Sequence, residues 1–394
     1  MEGFQIFTRL QNQFILSSTC GTLLALTFVL ITSCSGEGKA KHRQVISIAA
    51  GVSHTCALIS DGTIKCWGGN WKGQLGNGST IGSPSPVTVE GISDGRAIAA
   101  GSGETCASLS SGDVKCWGDN HFGQLGNKTE VGYSTTPLLV SGISDVISLA
   151  IGSQFVCALV SNQSINCWGR NIKGQIANRT GASSLIPKQV EAVLHASSIT
   201  AGLDFACAAL LDGAVQCWGD NQFGQIGDGT KKIGYKGPTS VIGVSKAAAV
   251  AAGYDHACAL LSDGKVYCWG TNRLGQLGDG TVTWSTVPVQ VIGISTAIAI
   301  AAGQNLSCAL LSNGTVSCWG LHDMIMDFAN YFTTPKMVEG VYDAIAITAG
   351  GRHACALFSD SRVKCWGSDM HGELGNGRKG QYSAKPVVVK GLLD

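Results

Sequence analysis

The sequence repeats one pattern seven times: two cysteines ten residues apart, with Trp-Gly directly after the second cysteine. The first copy is HTCALISDGTIKCWG, residues 54–68. Successive first cysteines are separated by 50, 51, 50, 51, 50 and 47 residues. A fixed period of this size marks an array of supersecondary units that pack mainly on their neighbours. The repeats start near residues 45, 95, 146, 196, 247, 297 and 344.

Each repeat offers about four runs of strand length and one longer loop. In the first repeat the runs are VISIAAG, HTCALIS, TIKCWG and VTVEG, and the loop between the last two is rich in Gly, Asn and Ser. No run shows sustained helical periodicity. Four short strands per unit of this size are typical of a propeller blade. We therefore expect an all-β, seven-bladed β-propeller over residues 45–394, with about four short antiparallel strands per blade.

The cysteine spacing fits a disulfide across a hairpin. A three-residue loop, residues 60–62, closed by glycine in the left-handed region, would place Cys56 directly opposite Cys66. Repeats 3 and 7 lack that glycine and have Gln163 and Ser361, so we expect less regular loops there. Each bond would close a loop of ten residues, worth roughly 2–3 kcal/mol. The predicted pairs are Cys56–Cys66, Cys106–Cys116, Cys157–Cys167, Cys207–Cys217, Cys258–Cys268, Cys308–Cys318 and Cys355–Cys365.

Metal binding is the rival interpretation of these cysteines. The pairs lack the close ligand spacing of zinc sites. Histidine stands two residues before the first cysteine only in repeats 1, 5 and 7, at His54, His256 and His353. No Cys-x-x-Cys occurs, which argues against redox catalysis. We therefore predict disulfides, no metal site and no cofactor, and the disulfides indicate an oxidising compartment.

Composition excludes two further classes of protein. The net charge is +1 and only 13% of residues are charged, so no basic face for nucleic acid is expected. The hydrophobic fraction of 44% argues against disorder.

The N-terminal segment predicts export. Arg9 precedes an apolar run whose most apolar part is residues 23–31, as in a secretory signal. The sequence ITSC, residues 31–34, resembles the bacterial lipoprotein signal, which implies cleavage after residue 33 and lipid attachment at Cys34. Residues 34–44 would then be a polar tether to the cell envelope, and Ser35 is compatible with the outer membrane. An ordinary signal peptide or an uncleaved anchor remains the alternative.

The combined motif resembles the regulator of chromosome condensation repeat family. It reads CWGGNWKGQLGNG at residues 66–78 and CWGTNRLGQLGDG at residues 268–280, and the resemblance runs from residue 45 to about residue 392. It implies a seven-bladed propeller whose ring is closed by strands from both chain ends in one blade. The family includes a nuclear guanine-nucleotide exchange factor and a secreted bacterial propeller that caps β-lactamases with loops on one face. The paired cysteines depart from the eukaryotic pattern and suggest adaptation to export.

Recurring residues in the motif are expected to be structural. The tryptophan after each second cysteine should pack between blades. The Gly-Gln-Leu-Gly segment should form a turn, since it lacks the Lys-Ser/Thr of a phosphate-binding loop.

Non-repeating aromatics are the candidate binding residues. Tyr133, Trp284, Tyr331 and Tyr382 lie four residues before the proline that follows each loop, and Tyr235 lies three before. Propeller symmetry would place them in an arc on one face, suited to protein recognition or sugar stacking. The alternative is that each ring packs under its own loop.

Repeat 6 departs most from the motif. Residues 321–335, LHDMIMDFANYFTTP, would form an apolar loop, with candidate contacts at Met324, Met326, Phe328, Tyr331 and Phe332. The loop would insert into a partner protein as a binding element. The alternative is that its sequence has diverged without a function after the Gly-Gln-Leu-Gly turn was lost.

These observations predict an exported, lipid-anchored propeller that acts as a rigid scaffold for an unidentified protein partner through loops on one face. No catalytic triad spacing is evident, so we expect no enzyme. A carbohydrate or cell-wall binding module is the first alternative. The exchange-factor role is disfavoured by the export signal.

Overall fold

The chain forms seven separate four-stranded antiparallel sheets. The computed structural model describes residues 43–130, 132–231, 237–321 and 331–393, and within them there are 28 strands and no helix. Each sheet consists of four strands that are consecutive in the chain. The all-β, seven-bladed prediction is confirmed. The predicted signal, residues 1–33, and Cys34 lie outside the described residues.

The strands take the same four places in every blade. The innermost strands are β1 (Val45–Ala50), β5 (Gly95–Ala100), β9 (Val146–Ile151), β13 (Ala196–Ala201), β17 (Ala247–Ala252), β21 (Ala297–Ala302) and β25 (Ala344–Ala349). The second strands are β2 (His54–Ile59), β6 (Glu104–Leu109), β10 (Phe155–Val160), β14 (Phe205–Leu210), β18 (His256–Leu261), β22 (Leu306–Leu311) and β26 (His353–Phe358). The third strands are β3 (Ile64–Gly68), β7 (Val114–Asp119), β11 (Ile165–Gly169), β15 (Val215–Gly219), β19 (Val266–Gly270), β23 (Val316–Leu321) and β27 (Val363–Asp369). The outermost strands are β4 (Ser83–Thr88), β8 (Tyr133–Leu139), β12 (Ser184–Gln189), β16 (Thr239–Ser240), β20 (Ser285–Gln290), β24 (Tyr331–Met337) and β28 (Gln381–Val388).

The hairpin between the second and third strands has the predicted register. The amide of Ile59 donates to the Thr63 carbonyl and that of Gly62 to the Ile59 carbonyl, which closes a three-residue loop with Gly62 at φ 86°. Cys56 therefore pairs directly with Cys66, and the same register recurs in all seven blades. All seven predicted disulfides are present, with Cα atoms 4.0–4.1 Å apart.

The expectation of irregular loops in blades 3 and 7 is wrong. Gln163 and Ser361 adopt φ 68°, and their amides make the same turn hydrogen bonds as glycine does. The loop has the same side-chain support as in blades that contain glycine: Asn162 Oδ1 accepts from the Ser164 amide at 3.0 Å, and Asp360 Oδ1 accepts from the Arg362 amide, as Asp61 Oδ1 does from the Thr63 amide in blade 1. Gln163 and Ser361 therefore adopt the glycine conformation within the same Asx turn.

The expected ring closure through a shared blade is also wrong. β1 to β4 complete the first blade and β25 to β28 complete the seventh, so no strand is left to cross between them. The ring closes by contacts between β1 and the seventh blade instead. The Gly351 amide donates to the Gly51 carbonyl at 3.1 Å, and Trp67 packs in one core cluster with Leu357 and Leu374.

The motif tryptophans join neighbouring blades. Six of the seven indole N–H groups donate, at 2.8–2.9 Å, to the backbone carbonyl of the motif Gln, or Glu373 in blade 7, of the preceding blade. The packing role predicted for these tryptophans is confirmed, and this hydrogen bond adds to it. The bonds observed are Trp67 to Glu373, Trp117 to Gln74, Trp168 to Gln124, Trp218 to Gln175, Trp269 to Gln225 and Trp319 to Gln276.

A second contact matches residue types across the same seams. The first residue of each second strand faces the second residue of the equivalent strand in the next blade. Wherever the first is histidine, the facing residue carries a hydroxyl: His54 Nε2 lies 2.8 Å from Thr105 Oγ1, and the equivalent pairs are His256 with Ser307 and His353 with Thr55. Where it is phenylalanine or leucine, the facing residue is alanine, as in the pairs Phe155 with Ala206, Phe205 with Ala257 and Leu306 with Ala354.

The innermost strands surround a narrow axial cavity of about 70 Å³. One segment per blade lines it, at the end of the innermost strand; in blade 1 this is residues 50–52. The long motif loops and the starts of the outermost strands lie at this end, which we name the loop face. The opposite end carries the three-residue hairpin loops and is named the hairpin face.

The hydrogen bonds fix the tautomer of the seam histidines. Thr105 Oγ1 donates to the Gln74 carbonyl at 2.9 Å, so it accepts from Nε2–H of His54. His54 Nδ1 is then the unprotonated nitrogen, and it is buried with no partner among the described residues. Burial, together with the charge of His353, lowers the pKa of His54 to about 3. Burial lowers the pKa of His256 and of His353 to about 4.

Blade 2 places Glu104 where the other blades have histidine, phenylalanine or leucine. Its carboxylate accepts from the amides of Gly103 at 2.8 Å and Gln154 at 3.2 Å. Burial is the largest influence, and with Asp119 nearby it raises the pKa of Glu104 to about 8. The folded chain therefore holds this carboxyl protonated over a pH range in which the unfolded chain does not.

We expect Thr105→Val to destabilise the protein by about 1–3 kcal/mol, because the buried Nε2–H of His54 loses its acceptor. Thr105→Ser keeps the hydroxyl and should cost less. Urea unfolding with the disulfides intact measures both. Equal losses for the two variants would contradict this account of the seam.

We expect Glu104→Gln to remove part of the pH dependence of stability. The pKa of Glu104 is about 8 in the folded chain and 4.5 in the unfolded chain. Its contribution to the free energy of unfolding is therefore fully present below pH 4.5 and is lost as the pH rises through 8. Protonation of the histidines in the unfolded state lowers the free energy of unfolding below pH 6.5 equally in the parent and the variant, so this effect cancels in the difference between them. The stability of the variant relative to the parent should rise from pH 5 to pH 8.5 in urea unfolding; a constant difference would refute it.

Candidate binding surface on the loop face

The motif loop is built by its own polar side chains. In blade 1, Asn70 Oδ1 accepts from the Leu75 amide at 2.9 Å, and Gln74 Oε1 accepts from the Lys72 amide at 2.9 Å. The loop then packs on the next blade, where the Gly78 amide donates to the Thr135 carbonyl at 3.0 Å. The Asn and Gln that recur in the repeats therefore hold the loop in shape, which agrees with the turn predicted for the Gly-Gln-Leu-Gly segment.

The predicted aromatics occupy equivalent places at the loop-face end of the blades. Tyr133, Tyr331 and Tyr382 stand in the first two residues of β8, β24 and β28, and Trp284 directly precedes β20. Tyr133 is 49% exposed and Trp284 is 40% exposed, whereas Tyr331, Phe332 and Tyr382 are half-buried. The structure therefore brings these rings to one face in blades 2, 5, 6 and 7.

Trp284 has neighbours outside its own loop. Its ring centroid lies 6.0 Å from that of Phe223 in blade 4, and Lys231 Nζ lies 3.2 Å above the ring. A cation over an indole face is attractive. The ring is thus held between blades while one part stays open to solvent.

The apolar segment of blade 6 is partly strand. Leu321 ends β23 and pairs with Tyr331, and Phe332 pairs with Gly320. The expectation of a loop over residues 321–335 is therefore wrong at both of its described ends. Met324, Met326 and Phe328, and likewise Tyr235 of blade 4, lie outside the described residues.

Trp71 was not among the binding residues predicted from the sequence. Seven of the nine tryptophans belong to the repeats, so the two extra ones, Trp71 and Trp284, were a usable signal. Trp71 is 49% exposed, and its ring meets that of His371 edge-on at 5.0 Å, across the seam between blades 7 and 1. Ile81 and Met370 nearby are also exposed.

Charge is distributed unevenly around the loop face. In blades 3 to 5, Arg170 pairs with Asp204 at 2.7 Å and Lys173 with Asp220 at 3.4 Å. Burial raises the pKa of Asp255 to about 6, and the neighbouring Asp220 and Asp204 carboxylates add to the effect. In the loop-face segment of blade 7, Arg378 and Lys379 are exposed, whereas Asp369 and Glu373 are buried.

The buried His–hydroxyl pairs cannot serve as nucleophile and base. Ser307 Oγ gives its hydrogen to the Gln276 carbonyl at 3.0 Å, so His256 donates to the serine and does not accept its proton. Both side chains are buried. Within the described residues, no cluster of three or more His, Cys, Asp or Glu side chains could hold a metal ion.

The described residues contain no helix that is long and apolar enough to cross a membrane.

Comparison with known proteins identifies the repeat. The model of the RCC1-like domain matches residues 25–327 and 97–394. The ultraviolet-B receptor UVR8 of Arabidopsis thaliana is 29% identical over 261 residues, which cover 64% of this chain and 59% of the receptor. The E3 ubiquitin-protein ligase HERC2 of Mus musculus is 29% identical over 169 residues, or 42% of this chain and 4% of the ligase.

Solved structures share the fold at low sequence identity. Human WBSCR16 superimposes with a TM-score of 0.75 at 23% identity and covers 84% of this chain and 95% of its own. Prp20p of Saccharomyces cerevisiae superimposes with a TM-score of 0.72 at 21% identity, and the match covers 89% of this chain and 88% of Prp20p. With seven blades in the structure and a family model that spans nearly all of them, this chain belongs to the RCC1-like domain family.

Proposed function

We propose that this protein is an exported, lipid-anchored propeller that binds a protein partner through its loop face. The observation that carries the proposal is the set of exposed aromatic side chains on one face of a ring whose every blade has its own disulfide. Aromatic side chains are enriched among the residues that dominate protein interfaces.

Rigidity supports a scaffold role. The seven disulfides are buried in the blade cores, and tryptophan hydrogen bonds join the blades. A surface held in one conformation loses little entropy on binding. The same disulfides need an oxidising compartment, which supports export.

The relatives do not specify the partner. UVR8 is a receptor, HERC2 is a ubiquitin ligase and Prp20p binds Gsp1p and histones. One fold serves several functions, and function depends on the surface residues. The exchange-factor role remains disfavoured, because it needs a GTPase in a reducing compartment.

The scaffold proposal predicts selective loss of a partner. The full chain, immobilised without reductant, should retain a protein from envelope extract. A variant with Trp284, Tyr331 and Phe332 changed to Ala should lose it. A matched control changes Ile147 and Ile298, exposed residues at the hairpin-face ends of β9 and β21, to Ala and should retain it.

Retention of the same protein by all three baits would place the interface elsewhere. If the parent retains no protein but binds cell-wall glycans, the carbohydrate-binding alternative replaces the scaffold.

The anchor is tested separately. In a bacterial host the parent should incorporate labelled palmitate and partition into the detergent phase of Triton X-114. Cys34→Ala should lose both properties, because the thiol that carries the lipid is gone. Cys20→Ala, which removes the other cysteine outside the repeats, should behave like the parent. An unlabelled parent would favour an ordinary signal peptide or an uncleaved anchor.

A further inference from the structure

Three large apolar side chains stand exposed where blade 7 meets blade 1 on the loop face. Trp71 is 49%, Ile81 78% and Met370 62% exposed. They are neighbours: the Trp71 ring contacts that of His371, next to Met370, and the Ile81 carbonyl accepts from the Asn70 amide side chain at 3.1 Å. We name Trp71, Ile81 and Met370 the seam patch.

The indole of Trp71 is held in place. It lies so close over Gly69 that a Cβ there would be 2.3 Å from the ring, and His371 borders it edge-on. Its exposed face is therefore presented in a fixed orientation, which reduces the entropy lost when a ligand packs on it.

Two cations lie in the blade 7 loop that is anchored beside the seam patch. The blade 7 loop runs along β4, with the Gly377 amide donating to the Pro84 carbonyl at 3.0 Å, and returns where the Gly380 amide donates to the Asp369 carbonyl at 2.7 Å. Arg378 and Lys379 lie between these two anchor points and are exposed.

No exposed carboxylate opposes these cations in the two segments that form the seam, residues 69–86 and 368–386. The two acidic residues there, Asp369 and Glu373, are buried. Asp369 Oδ1 accepts from the Leu374 amide at 3.0 Å, and Glu373 Oε2 accepts from the His371 amide at 2.8 Å. Burial raises the pKa of Glu373 to about 7, which further reduces the negative charge at the seam.

We propose that the seam patch binds an acidic peptide segment of the protein partner. An aliphatic or aromatic side chain of that segment packs on Trp71 between Ile81 and Met370, and its flanking carboxylates pair with Arg378 and Lys379. Charge complementarity selects this occupant: the surface combines apolar area with unopposed positive charge. The inference rests on the proposed protein-binding function and is independent of the lipid anchor.

The test uses fluorescence anisotropy of the full chain in detergent with two labelled octapeptides. One carries Leu and Phe among six Glu residues, and the other has Lys in place of each Glu. The acidic peptide should bind and the basic one should not. Trp71→Ala, and separately the pair Arg378→Glu with Lys379→Glu, should each weaken binding about tenfold or more. Added salt should weaken it as well.

Matched controls come from blades 2 and 3. Ile172→Ala and Lys128→Glu remove an exposed apolar side chain and an exposed cation from other motif loops, and should leave the affinity within about twofold. Equal binding of both peptides, no binding of the acidic one, or equal losses in the controls would each overturn the proposal.

The same variants separate this inference from the proposed function. If the envelope partner is still captured by Trp71→Ala and by the charge-reversed pair, the seam patch is not its site, while the scaffold function stands. If no protein partner is captured but the acidic peptide binds as expected, the seam patch stands as a peptide site and the scaffold function fails.

Discussion

The indole hydrogen bond observed across six of the seven seams is the interaction on which the ring depends. A blade of four short strands cannot bury both of its faces alone, so each must be covered by a neighbour. The tryptophan that follows the second cysteine fills the space between two blades, and its N–H donates to a backbone carbonyl of the motif loop in the preceding blade. The loop that presents this carbonyl in turn depends on its Asn and Gln side chains, so the whole repeat motif serves one contact.

Within the seam, residue types are matched in pairs. His54 and Thr105 form a polar contact, while Phe155 and Ala206 fill the equivalent space with apolar atoms. A histidine facing alanine would leave Nε2–H without an acceptor, and a phenylalanine facing threonine would crowd and desolvate the hydroxyl. This pairing gives each blade a preference for its own neighbours.

Much of the fold could be predicted from the sequence because the same pattern of strands, turn and cysteines occurs seven times. The hairpin register followed from counting residues between Cys56 and Cys66 and from the turn that Gly62 permits. The regular turns at Gln163 and Ser361 were missed, because both residues adopt a positive φ that was expected only of glycine. Ring closure was taken from a family resemblance, and only strand pairing could show that blades 1 and 7 are each complete.

The aromatics at Tyr133 and Trp284 could be placed on one face by symmetry. Trp71 and the blade 7 loop could not be placed together, because their proximity joins residues some 300 positions apart in the chain.

Every blade is one uninterrupted stretch of the chain. If a single repeat were duplicated or lost, each remaining strand would therefore still have its partner strands. In a ring closed by a shared blade, the first and last segments are bound to each other and cannot change independently. Here the seam between blades 7 and 1 has the same indole-to-carbonyl contact, Trp67 to Glu373, as five other seams. Evolution of this architecture can therefore proceed by whole repeats, and two repeats distant in the sequence can diverge freely while together forming a surface that neither forms alone.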